Sequence, residues 1–193
     1  MNSQFIKNYL FDVGTLVQKI PVEEIETVII SLLDCVTKGN KIFFIGNGGS
    51  ASTASHLACD LGKGARSQGG LMIRAIALTD NIPVITAWAN DTSYENIFCE
   101  QLRPLASAGD VLVAISGSGN SANVIRAVEY ANSAGLLTIG LAGFDGGLLY
   151  KQARLCILVP SDNMQQVEDA HTVLCHLIAS YIREALKNEG GVS

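Results

Sequence analysis

Three histidines and the carboxylates near them are the side chains of this sequence best suited to proton transfer or metal binding. His56 and Asp60 stand four residues apart in a segment of helical patterning, so they share one face. Glu168, Asp169, His171 and His176 fall in a second such segment, near the C-terminus. At about 100° per residue, Glu168 and His176 differ by roughly 80° and Asp169 and His176 by roughly 20°, so several can face one cleft. Such a cluster can serve as general acid and base. The nitrogen and oxygen donors of His56, Asp60, Glu168 and His176 equally suit a divalent metal, zinc first. An imidazole oriented by a carboxylate, with no metal, is the third arrangement open to these residues. A histidine on an apolar helix is about as often a satisfied core residue, and each of the three keeps that alternative.

Two loops rich in glycine and serine carry a different chemistry. One reads Ile45-Gly-Asn-Gly-Gly-Ser-Ala-Ser52 and the other Ile115-Ser-Gly-Ser-Gly-Asn-Ser121. Each follows an apolar run and precedes a helical pattern. A helix start offers unpaired backbone N–H groups and the positive end of its dipole, which suits an anion. Glycine lets the backbone approach a ligand, and Ser50, Ser52, Ser116, Ser118 and Ser121 add hydroxyl donors without charge. Phosphate is the natural guest. Gly46, Gly48 and Gly49 do not follow G-x-G-x-x-G, and no G-x-x-x-x-G-K-[ST] occurs, so no nucleotide cofactor is expected.

The elements that must position these groups alternate. Apolar strands are expected at residues 42–45, 73–78, 111–115, 137–141 and 155–159. Helical patterns lie between them at 51–61, 83–89, 94–106, 122–134 and 148–153, with a long one at about 163–186. This is the signature of an α/β protein: a three-layer, doubly wound parallel sheet with both loops at the carboxyl edge, where ligands bind. Two more helices, at 3–18 and 22–36, precede the first strand and form an oligomer interface or cover their own sheet.

Other polar residues are read locally. Asp91 follows an apolar helix and suits a turn or N-cap, while Thr79, after a strand, lies at the ligand edge. Lys63 and Arg66 can reach an anion or remain solvated. Five scattered cysteines without a C-x-x-C pair read as reduced core residues, including Cys59 and Cys175. At 193 residues the chain suits one domain, and with 48% hydrophobic and only 16% charged residues it suits a sheet buried on both faces. A net charge of −5 argues against nucleic acid as a general partner. The first residues show neither a leader nor a membrane span, so a cytoplasmic location is expected.

Together, Gly46-Asn-Gly-Gly-Ser50, Ala89-Asn-Asp91, Ile115-Ser-Gly-Ser-Gly-Asn-Ser121 and the final E-D-x-H-x-x-x-x-H pattern resemble a sugar isomerase (SIS) domain. The nearest branch is the phosphoheptose isomerases, and the likeness covers nearly the whole chain. The resemblance implies the flavodoxin-like SIS fold and a homotetramer converting sedoheptulose 7-phosphate to D-glycero-D-manno-heptose 7-phosphate through an enediol. It implies that Ser116, Ser118 and Ser121 hold phosphate and that Asn47, Ser50 and Asp91 line the sugar site, with Gly48, Gly49, Gly117 and Glu168 beside them. Asp60 and His176 become the acid–base pair, and His56, Asp60, Glu168 and His176 the ligands of a zinc ion that some members carry. The chain departs from the family at Asp60 (usually glutamate), Glu168 (usually glutamine) and Gly117 (usually threonine), and it has no clean match for an arginine after the His56 helix. An isomerase for another sugar phosphate, or a SIS protein that binds a phosphosugar or the replication initiator without turnover, is the competing expectation.

Overall fold

A computed structural model describes residues 2–64 and 72–189. Five strands, β1 (Lys41–Gly46), β2 (Arg74–Ala77), β3 (Val111–Ser116), β4 (Leu137–Ala142) and β5 (Leu155–Leu158), form one sheet in the order β2-β1-β3-β4-β5. Every pairing is parallel. The order reverses between β1 and β3, so the loops leaving these two strands open beside each other at the carboxyl edge.

Alternate residues of each strand feed opposite cores, as the period of two demands. On one face, Ile42, Phe44, Val113 and Ile115 meet α2 (Val22–Thr37), α3 (Gly49–Gly64) and α8 (Met164–Glu189). On the other, Phe43, Ile45, Leu112 and Ala114 meet α5 (Cys99–Leu105), α6 (Ala122–Ser133) and α7 (Gly147–Gln152). Phe43 and Phe44 are wholly buried, one in each core. Burying each contributes about 2–3 kcal/mol. The expected doubly wound α/β architecture is the one observed.

Three details differ from the sequence reading. Residues 94–106 are not one helix: a 3-10 turn, Tyr94–Asn96, precedes α5. Ile97 and Phe98, adjacent and both about 1% exposed, are drawn into the core between them. A regular helix sends neighbours 100° apart, so this double burial favours a break. Asp91 does not follow a helix but closes one, α4 (Ile82–Asp91). The two leading helices also part company. α2 buries Ile25, Val28, Ile29 and Leu32 against its own sheet, while α1 (Ser3–Val17) leaves Phe5, Ile6, Leu10 and Phe11 exposed. Among the described residues no helix is long and apolar enough to cross a membrane.

Candidate active site

The serine loop and the first loop line one cavity of about 250 Å³. Its wall comprises Asn47, Gly48, Gly49, Ser50, Ile115, Ser116, Gly117, Ser118, Ser121, Met164 and Glu168. Ser121 is the N-cap of α6 but makes no side-chain cap bond, which leaves its hydroxyl and the N–H groups of Ala122 and Asn123 for a ligand, while the Val124 N–H is taken by Asn123 Oδ1. Its Oγ lies 3.3 Å from Ser116 Oγ. The Asn120 backbone N–H donates to Ser118 Oγ at 3.3 Å, so the Ser118 hydroxyl keeps its own proton to donate. No lysine or arginine lines the cavity among the described residues, so an anion there meets hydroxyls and helix starts, with the Glu168 carboxylate as the one opposing charge in the wall.

Two expected contacts are absent from this wall. Asp91 is exposed, with Oδ1 accepting from Asn90 Nδ2 at 2.9 Å, and Ser52 is exposed with its hydroxyl donated back to Gly48 O. Thr79 is instead hydrogen-bonded to Ser55 at 2.9 Å. Lys63 is exposed at the end of α3, and Arg66 lies outside the described residues. Met164, unremarked in the sequence, bears on Gly117: a Cβ there would stand 2.5 Å from Met164 Sδ, so a side chain at this position requires the flexible thioether to move.

The acid–base cluster stands apart from the cavity, where α3 meets α8. His56 Nε2 and His176 Nε2 are 2.9 Å apart, with the rings edge to face. Asp60 Oδ2 is 3.4 Å from His56 Nε2. One ligand atom from each of the three lies within 4.8 Å of the others, and both imidazoles are exposed. Two imidazole nitrogens and a carboxylate fit a three-residue zinc site with an open position.

Glu168 is not in that cluster, contrary to the four-ligand expectation. Its carboxylate covers the start of α3, where a Cβ on Gly49 would meet Oε2 at 2.5 Å. The angular argument was sound but omitted the rise: eight residues at 1.5 Å separate Glu168 from His176 by about 12 Å along the axis. Asp169, nearer in angle, accepts from the Tyr9 hydroxyl at 2.6 Å and fastens α1 to α8.

His171 takes the core alternative. It is 1% exposed, and its Nε2 donates to Ala142 O at 3.3 Å while Nδ1 has no partner. Burial lowers its pKa from 6.5 to about 4, the Ala142 carbonyl opposing. The unfolded chain therefore takes up a proton below pH 6.5 that the folded one refuses. The resulting stability is complete above that pH and is lost as pH falls toward 4, by up to about 3 kcal/mol. The unfolding free energy of His171→Gln should lack this segment. A difference between wild type and variant that stays constant from about pH 7 to about pH 4.5 refutes the assignment.

The thiols divide. Cys35, Cys99 and Cys175 are buried and Cys156 is half-buried, but Cys59 is exposed rather than part of the core. Burial pushes Cys175 and Cys156 up to about 12 and Cys35 up to about 11, which keeps them protonated and unreactive. A larger groove, about 890 Å³, lies beside α1 and the loops after β4 and β5. It gathers Asp12, Asp145 and Asp162 with a single lysine, Lys19, so it suits an anion less well than the smaller cavity, whose lining has one carboxylate, Glu168, among its serines.

The sequence and fold match known proteins. The SIS domain family model matches residues 8–143. A phosphoheptose isomerase of Akkermansia muciniphila is 35% identical over 186 residues, covering 95% of this chain and 98% of that protein. One from Rhodospirillum rubrum is 42% identical over 148 residues, covering 77% and 78%. The solved phosphoheptose isomerase of Neisseria gonorrhoeae superposes with a TM-score of 0.86 at 32% identity, covering 94% of this chain and 98% of that one. With its two ligand loops at the carboxyl edge of the same fold, this chain belongs to the phosphoheptose isomerase branch of the SIS-domain family.

Proposed function

We propose that this protein is an aldose–ketose isomerase that interconverts sedoheptulose 7-phosphate and D-glycero-D-manno-heptose 7-phosphate, the phosphate seated in the serine-lined cavity. The observation that carries the reading is the spacing of the two centres. α3 starts at the cavity with Gly49 and Ser50, and His56 follows six residues later. That is about 9 Å along the axis, comparable to an extended seven-carbon chain. A substrate held at its phosphate end thus presents its carbonyl end to His56, His176 and Asp60.

The chemistry follows from the groups present. One member of the Asp60–His176 pair takes the proton from the carbon beside the carbonyl. The C–H electron pair becomes the double bond of an enediol, and the carbonyl oxygen gains a proton. Returning a proton to the neighbouring carbon, with loss of the other hydroxyl proton, completes the isomerisation without net oxidation. Holding the phosphate far from the reacting carbons contributes orientation as well as affinity.

The donors of His56 Nε2, His176 Nε2 and an Asp60 oxygen fit zinc, and these residues would hold it. When bound, it supplies a Lewis acid at the sugar's oxygens. A nitrogen lone pair given to a metal cannot take a proton, so each imidazole nitrogen does one of these jobs at a time. The exposed apolar row of α1, together with Val173, Leu177 and Tyr181 on α8, supports burial between subunits, as the proposed homotetramer requires. Five free thiols support a cytoplasmic location.

The test is NMR of sedoheptulose 7-phosphate in deuterated water with the purified protein. Formation of the aldose phosphate with deuterium at the carbon next to the carbonyl is expected. No product and no deuterium uptake would overturn the isomerase. Ser118→Ala, measured in the same assay, should raise KM about tenfold with little change in kcat, since one phosphate hydrogen bond to a charged group is lost. An unchanged KM removes Ser118 from the phosphate site.

A further inference from the structure

The two ligand loops are joined by a pair of amides, half-buried Asn47 and buried Asn123, of which the sequence reading left Asn123 without a role. Asn123 lies in the first turn of α6 and is 2% exposed. Its Oδ1 accepts from the Val124 backbone N–H at 2.9 Å and from Asn47 Nδ2 at 2.9 Å. Its Nδ2 donates to Asn47 Oδ1 at 2.8 Å. The Tyr94 hydroxyl donates to the same Asn47 Oδ1 at 3.0 Å.

These bonds decide which way Asn47 faces. A backbone N–H can only donate, so Val124 fixes Asn123 with its oxygen toward that N–H. The reciprocal pair then fixes Asn47 in turn, its nitrogen to Asn123 Oδ1 and its oxygen to Asn123 Nδ2. Asn47 Oδ1 already accepts twice, which exhausts its two lone pairs. One N–H of Nδ2 is left over, and Asn47 lines the cavity.

We propose that Tyr94 and Asn123 are positioning residues that hold the Asn47 carboxamide as a donor, and never an acceptor, toward an oxygen of the bound sugar phosphate. This rests on the reading of the cavity as the sugar phosphate site. Tyr94 reaches in from the 3-10 turn and Asn123 from α6, so three segments converge on one amide. Preorganising a donor in this way removes the cost of orienting it when the ligand arrives.

A double-mutant cycle tests the arrangement, with sedoheptulose 7-phosphate binding read by calorimetry and turnover by NMR on the same samples. Tyr94→Phe should raise the Kd about fivefold. In an Asn47→Ala background the same change should have an effect of less than about twofold, because Tyr94 acts through Asn47. Tyr94 is 57% exposed, so the variant folds, and an unchanged melting temperature verifies it. Asn47→Asp, which puts an anionic acceptor where the free donor was, should bind more weakly than Asn47→Ala.

Equal losses from Tyr94→Phe in both backgrounds, no loss in either, or Asn47→Asp binding better than Asn47→Ala each overturn the inference. Wild-type protein that binds without converting the sugar overturns the isomerase reading while the cycle still decides the role of Tyr94. Wild-type protein that binds no sugar phosphate overturns both.

Discussion

Replacing His176 by alanine should lower kcat by about a thousandfold while KM moves by less than about threefold, the expected result of removing a proton-transfer group. The geometry separates the two parameters. His176 stands 2.9 Å from His56 on the far side of the site from the serine cavity, so the phosphate keeps its hydroxyls and helix starts when the imidazole is lost. Deuterium uptake into the substrate should vanish together with isomerisation, because both begin with the same proton abstraction. His176 also supplies one of three metal donors, so zinc bound per chain, measured by atomic emission after dialysis, should fall in the variant. A variant retaining more than a tenth of wild-type kcat would show that Asp60 and His56 suffice. A variant inactive because KM has risen would place His176 in binding instead.

The parts of this architecture that show in the sequence are those governed by period and by turn chemistry. Ile42-Phe-Phe-Ile45 and Val111-Leu-Val-Ala-Ile115 are buried on both faces, and a doubly covered parallel strand reads as an unbroken apolar run. Both ligand loops show because glycine and serine are what a close backbone turn at a helix start requires. The His56–Asp60 pair shows because four residues make one turn of helix. Where the reading failed, the deciding quantity is tertiary. Glu168 and His176 share a side of α8, but only the rise along the helix sends one to the cavity and the other to α3. Residues 94–106 carry a helical pattern, yet Ile97 and Phe98 are both taken into the core. Gln101, buried there, donates Nε2 to Ile97 O at the break and to Leu78 O just after β2.

The missed site residues share a physical reason. Asn123, Tyr94 and Met164 matter through what they touch across loops far apart in sequence, and no local period marks such contacts. Asn123 was visible as a polar residue in the first turn of an apolar-patterned helix, a position where asparagine ordinarily serves only its own helix end. Its bond to the Val124 N–H is of that local kind, and the pairing with Asn47, 76 residues away, adds the link between loops. Gly117 and Met164 illustrate the same point in packing: the small residue in the loop and the long thioether on α8 fill one space.

The serine loop owes its shape to one further contact, and Gly119→Ala should break it. Gly119 has φ +66°, where a Cβ costs about 1–2 kcal/mol. A Cβ there would also stand 2.0 Å from Gly146 O and 2.5 Å from Gly146 C. Neither backbone can yield cheaply. Gly119 N donates to Ser116 O at 3.0 Å, and Gly119 O accepts from Leu149 N at 2.9 Å. Asn120 Oδ1 accepts from Leu148 N at 3.1 Å, and Gly146, at φ +81°, is itself the N-cap of α7. Loop and helix start are thus interlocked, and relief must separate them, at a further cost of about 1–3 kcal/mol. A loss of about 3 kcal/mol corresponds to a melting temperature lower by about 10 °C in a domain of this size. Because the displaced segment carries Ser116, Ser118 and Ser121, the Kd for the sugar phosphate should rise at least tenfold even well below the melting temperature. Unchanged stability would mean that the loop and α7 can part freely. Lower stability with unchanged affinity would mean that the phosphate is held elsewhere than by these serines.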